Sequence, residues 1–232
     1  MRNTYNIGLL RRRVQEALPR PPAPAGEMAI EGFLSLPGAS AWRPERLGLR
    51  ELSFIFDVGL PFALIGDKPV AKTLGLHVGD AVRDGRLPEP RLWSAVHAVA
   101  LLCRWGLDVH LTSGLVAPQL QFEVRLPNDA ALRLDVRRAV QEPTNARIVA
   151  IDMQGAAAGF DDVAGYYADS FANGLLAVLV FEPRFWIGVE QKEWRHLARL
   201  APDTGGLEPR MLGCADGDPF AGVQALRMPL LV

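Results

Sequence analysis

Hydrophobic and polar positions alternate most clearly in the middle of the chain. Leu107, Val109 and Leu111 alternate with Asp108, His110 and Thr112. Leu120, Phe122, Val124 and Leu126 alternate with Gln121, Glu123 and Arg125, and Leu132, Leu134 and Val136 with Arg133, Asp135 and Arg137. A period of two with one apolar side predicts antiparallel strands that face a core on one side and water on the other. Arg147 to Met153 is more continuously apolar, as a central strand is, and Leu175 to Phe181 reads as a buried strand in preference to a continuation of the preceding helix. Met28–Leu36 and the alternating set Leu52, Phe54, Phe56 and Val58 read as two further strands.

Helical spacing occurs elsewhere. From Pro90, a good first-turn residue, Leu92, Val96, Val99 and Cys103 line one face, and Gly106 ends the run. Asp161 or Asp162 is placed to cap a helix carrying Val163, Tyr166, Tyr167 and Phe171, with Asn173-Gly174 at its end. Residues 190–200 read as helical. Residues 61–82 are ambiguous, because Val70, Leu74 and Val78 have helical spacing while Gly75 and Gly79 weaken it. Residues 201–232 read as a loop-rich tail. Near the amino terminus, Ile7, Leu10, Val14 and Leu18 share a helical face that Pro19 terminates, and the Pro- and Ala-rich segment up to Gly26 reads as a linker.

These elements predict an α+β fold: a mixed, largely antiparallel sheet of about six strands with helices packed on one face. The expected organisation is an amphipathic helix and linker over residues 1–26, followed by one globular domain over 27–232.

One charge choice sets the register of the central hairpin. Both apolar sets must share a face, which leaves two near registers. If Leu126 faces Leu132, Arg125 meets Arg133 and Glu123 meets Asp135, both like-charge pairs. If Leu126 faces Ala130, Glu123 meets Arg133 and Phe122 meets Leu134. The second is expected, since like charges directly across strands destabilise. Its outer face is a checkerboard of Glu123, Arg125, Arg133, Asp135 and Arg137, suited to water or a polar partner.

Composition adds limits. Hydrophobic residues make up 49% and charged residues 22%, with a formal net charge of −1, so overall charge does not point to nucleic acid or an anionic membrane. Lysine is confined to Lys68, Lys72 and Lys192, and the other basic residues are arginines. Cys103 and Cys214 cannot form a disulfide framework, and no Cys-x-x-Cys is present. Arg11 to Arg13 follow rather than precede a short apolar stretch, unlike a secretory signal. The expectation is a soluble, cytoplasmic protein without cofactor or metal and with no membrane association.

Candidate chemistry is sparse. His77, His97, His110 and His196 form no metal-binding spacing. His97 lies on a helical side with Trp93 and Arg104 and reads as a packed histidine. Asp108, His110 and Ser113 superficially resemble a hydrolase triad, but neighbouring strand residues point in parallel and no nucleophile elbow surrounds Ser113. Asp152 ends an apolar strand before Gly155-Ala156-Ala157-Ala158-Gly159, the position where α/β proteins hold ligands, yet the run matches no phosphate-binding loop. Asp216 and Asp218 lack the rest of a calcium loop. No catalytic residue is assigned. Were the chain an enzyme, Asp152, His97 and His110 would be the residues to test.

The favoured expectation is therefore a non-enzymatic interaction protein: a subunit, accessory factor or inhibitor-type binder of a larger assembly. Arg11, Arg12, Arg13, Arg137 and Arg138 are its candidate partner contacts, with a protein partner or a second copy of the chain as the occupant. The alternatives are a small-molecule enzyme or ligand binder using a strand-end Asp and a His, and an RNA-contacting subunit of a ribonucleoprotein.

Overall fold

In a computed structural model, the structure describes residues 9, 12, 24–42, 49–104, 106–113, 121–125, 131–138, 145–153, 160–181 and 210–212. They belong to two compact units that divide between Leu92 and Trp93, inside the segment read above as one domain.

The first unit is helical, with α1 (Pro24–Leu34), a 3-10 turn (Ala39–Ala41), α2 (Leu49–Ile65) and α3 (Pro69–Arg83). Two expected strands are thus helices, and α1 begins inside the expected linker. Between Met28 and Leu36 the buried hydrophobic side chains are Ala29, Ile30, Phe33 and Leu36, a spacing of three to four that belongs to a helix. In α2 the apparent alternation is broken by Ile55, which is as buried as its neighbours Phe54 and Val58. At 17 residues the element is also longer than a strand of an ordinary sheet.

Glycine lets these helices touch. A Cβ on Gly32 would sit 2.0 Å from the Gly59 carbonyl oxygen, and one on Gly59 would sit 1.8 Å from that of Ala29. No other residue fits at this crossing. The same logic resolves the ambiguity over residues 61–82. Gly75 and Gly79 lie within α3 because Leu36 and Pro37 press on them, at 3.3 Å and 3.1 Å from the respective Cβ positions. Trp42 stacks on Phe54 with ring centroids 5.0 Å apart and meets Phe33 edge-on at 5.2 Å. Its indole N–H donates to the Val82 carbonyl at 2.6 Å, tying the connecting turn to α3.

The second unit holds all but the first residues of α4 (Pro90–Arg104), then β1 (Asp108–Ser113), β2 (Gln121–Arg125), β3 (Ala131–Arg137), β4 (Ile148–Asp152), α5 (Phe160–Ala172), β5 (Ala177–Phe181) and the three-residue β6 (Arg210–Leu212). β6 falls in the expected loop-rich tail. α4 ends as expected: Gly106 has φ +79°, and Leu107 N–H donates to the Leu102 carbonyl in a helix-closing turn. Gly174, with φ +101°, closes α5 in the same way.

The strands form one mixed sheet in the order β1-β2-β3-β4-β5-β6. β1–β2, β2–β3 and β5–β6 are antiparallel, while β3–β4 and β4–β5 are parallel. The hairpin register is the one expected from charge, with Glu123 opposite Arg133 and Phe122 opposite Leu134.

Register partners share a face, so the pairing sorts the sheet into two sides. One carries His110, Glu123, Arg133, Asp135 and Arg137, continuing into Val149, Ile151, Val178 and Val180. There α5 covers the β4–β5 half, through Val163 and the fully buried Tyr167. The other side carries Val109, Phe122, Val124, Leu132, Leu134, Ile148, Ala150 and Asp152. Ser94 of α4 reaches that side at Asp152. The two helices thus meet opposite faces, which corrects the expectation of helices on one face. β4 and β5 are buried throughout and show no alternation, whereas β2 and β3 alternate between buried and more exposed positions.

Candidate functional site

Asp152 is the last residue of β4, with only 2% of its surface exposed. The α4 segment that meets it is buried at every position from Trp93 to Cys103 and is otherwise apolar. Ser94 and His97, one helical turn apart, are its two polar side chains. The Ser94 hydroxyl donates to Asp152 Oδ2 at 2.5 Å, and the Arg138 Nε lies 3.8 Å from the same oxygen. Arg138 directly follows β3. Since Arg137 pairs with Ile151, the next step of the register sets Arg138 beside Asp152. The cluster is thus a product of strand register and helix placement. It joins α4, β3 and β4 through one buried carboxylate, and its chemistry is that of a buried charge held by a hydroxyl and a guanidinium.

The histidines lie elsewhere. His97 packs edge-on against Trp93 with centroids 4.3 Å apart. Burial lowers its pKa from 6.5 to about 3, so the imidazole is neutral at physiological pH. His110 Nε2 lies 2.7 Å from Asp108 Oδ2 along β1, an Asp–His pair on the polar side of the sheet with both side chains partly exposed. Strand neighbours two apart therefore do bond here, although they point in parallel. Among the described residues, no group of three or more His, Cys, Asp or Glu is arranged to hold a metal ion.

The arginines expected at a partner surface divide. Arg12 is exposed, and Arg11 and Arg13 lie outside the described residues, as do the runs at 155–159 and 214–218 and the helix expected over 190–200. Of the amino-terminal helix, Leu9 and Arg12 are described and both are helical. Arg137 has a side chain only 11% exposed and bonds Asp135 through Nε at 2.8 Å. Arg138 faces Asp152. Both are held by carboxylates of the sheet.

Ser94 was missed by sequence reasoning. Its signal is a lone serine, three residues before a lone histidine, in an otherwise apolar helix. Such a buried hydroxyl needs an acceptor, and a strand-end aspartate is a natural one. Among the described residues, no helix is long and apolar enough to cross a membrane. No family model, curated protein or solved structure matches the chain.

Proposed function

We propose that the chain is a non-enzymatic interaction protein, a subunit, accessory factor or inhibitor-type binder within a larger assembly. The observation that carries this reading is the charged side of the β1–β3 half of the sheet. On one side α5 lies over β4 and β5, while β1, β2 and β3 present charged residues, with Arg125 and Arg133 exposed. Such a flat, charged surface suits a polar macromolecular partner better than an apolar small molecule. The acid–base candidates also fit a structural role, with His97 inside the core and Asp152 engaged by Ser94 and Arg138.

A second reading is favoured by one feature. Asp152 stands at the carboxyl end of a parallel strand, where open α/β sheets receive ligands. Under that reading the chain binds or transforms a small molecule through Asp152.

Native mass determination on the chain isolated from its own cells tests the first reading, with Asp152→Asn run in parallel. A species heavier than one chain, unchanged by Asp152→Asn, is the expected result. A single chain with nothing bound would overturn the interaction reading. A small bound molecule lost in Asp152→Asn would establish the second.

A further inference from the structure

Arg125, Arg133 and Arg147 are exposed, and none of their side chains makes a hydrogen bond or ion pair among the described residues. They stand on one side of the sheet. Arg125 aligns with Ala131, two residues before Arg133 on the same face of β3. Arg147 leads into β4 beside Arg133, to whose carbonyl its backbone N–H donates at 3.0 Å. Its guanidinium lies near the end of α5, since a Cβ on Gly174 would sit 3.6 Å from Arg147 Nη1. On this side α5 packs against Val149, Ile151, Val178 and Val180, while the three arginines are exposed.

Carboxylates close by are engaged elsewhere. Asp135 holds Arg137, and Asp108 holds His110. Glu123 is next to Arg133 in the register, yet makes no ion pair at bonding distance among the described residues. Three planar donors are thus left for a ligand from outside the chain.

We propose that Arg125, Arg133 and Arg147 dock an acidic segment of a protein partner. The proposal rests on the interaction reading and names the chemistry of that partner. Adjacent strands lie about 4.8 Å apart and alternate residues of a strand about 7 Å apart, so neighbouring members of the three stand roughly 5–9 Å apart, within reach of the carboxylates of one extended segment. Guanidinium takes carboxylate in a two-pronged hydrogen bond that lysine cannot make. Nucleic acid fits less well. The strand residues of this face include no Phe, Tyr or Trp on which a base would stack.

The test uses the full chain and a fluorescently labelled oligoglutamate peptide, read by anisotropy. Saturable binding at low salt is expected, weakening as ionic strength rises through about 0.15 M. The triple variant Arg125→Gln/Arg133→Gln/Arg147→Gln should lose about tenfold or more in affinity, as expected for three exposed charge contacts. It should keep the parent's circular dichroism and melting temperature. Arg83→Gln/Arg86→Gln, which removes exposed arginines of the first unit, should bind as the parent does. Equal binding by the triple variant, or no binding by the parent, would overturn the proposal. Tighter binding of an oligouridylate of equal length would overturn it in favour of RNA. If the native assembly persists in the triple variant, this surface is wrong and the interaction reading stands.

Discussion

Glu123 lies directly across from Arg133, yet the two make no ion pair at bonding distance among the described residues. The register is complementary in charge without being locked by it. Beside them, on the opposite face, Phe122 faces Leu134, and both are 1% exposed. A double-mutant cycle with Glu123→Ala and Arg133→Ala should give a coupling below about 0.5 kcal/mol, in the lower range of exposed pairs. Phe122→Ala should cost roughly 3–5 kcal/mol in a denaturant melt. A Glu123–Arg133 coupling as large as the Phe122 loss would mean that charge holds the hairpin.

Removing the Ser94 hydroxyl leaves a buried carboxylate one donor short. Ser94→Ala should destabilise the chain by about 1–3 kcal/mol, although it deletes a single oxygen. Asp152→Asn keeps a side-chain oxygen for Ser94 but gives up the charge that Arg138 faces, so it should cost no more than Ser94→Ala. Urea melts of the two variants check the order. A neutral Ser94→Ala would show that the bond contributes nothing net.

Acid stability should carry the mark of His97. Its pKa falls from 6.5 to about 3 on folding because burial penalises the charged ring. The unfolded chain therefore binds the extra proton first. The contribution is complete above pH 6.5 and is lost between 6.5 and about 3, at up to roughly 1.4 kcal/mol per pH unit. His97→Phe keeps a ring against Trp93 and removes the titration. Its stability should be flatter than the parent's across that window, measured by denaturant midpoints at successive pH values. Parallel profiles for parent and variant would refute the assignment.

Two glycines should respond in opposite ways to alanine. Gly59→Ala drives a methyl group into the Ala29 backbone and should destabilise the first unit by about 1–3 kcal/mol or more. Gly165 is an exposed residue of α5, with nothing within 4 Å of its Cβ position. Gly165→Ala should stabilise by about 0.4–1 kcal/mol, because it restricts the unfolded chain without a clash. Thermal melts of both variants decide the matter.

How much of this was legible in the sequence depends on how each segment is covered. The strands of the hairpin declare themselves because only one of their faces is apolar, and their charges select the pairing. α2 misleads because it is apolar nearly all round. Its Leu52, Phe54, Phe56 and Val58 mimic a strand until Ile55 and the length of the run are weighed. The glycines of α3 weaken a helix in isolation, and their reason lies in Leu36 and Pro37, distant in sequence. The parallel junctions of β3, β4 and β5 are invisible to periodicity, which reports burial and not direction. For the same reason the Asp152 cluster was half seen. The strand-end carboxylate was noticed, while Ser94 and Arg138 come to it only through the register and the placement of α4. The partner arginines were chosen by their clustering in sequence. Pairing shows that Arg137 and Arg138 point to opposite faces and are held there, while the uncommitted ones are spread over three strands.

The three residues of β6 have a role larger than their number. β5 reads Ala-Val-Leu-Val-Phe, wholly buried and without a charge, and β6 is the strand that pairs with its outer edge. An apolar strand with an open row of amide and carbonyl groups is a template for any similar chain. As the polypeptide emerges during synthesis, β5 appears nearly thirty residues before β6, roughly a few seconds at ordinary elongation rates. For that interval the sheet ends in its stickiest strand. Once bound, Arg210-Met211-Leu212 turns an aggregation-prone border into a short one that carries a cationic residue, Arg210. The last strand to arrive among the described residues is thus the one that makes the sheet safe in a crowded solution.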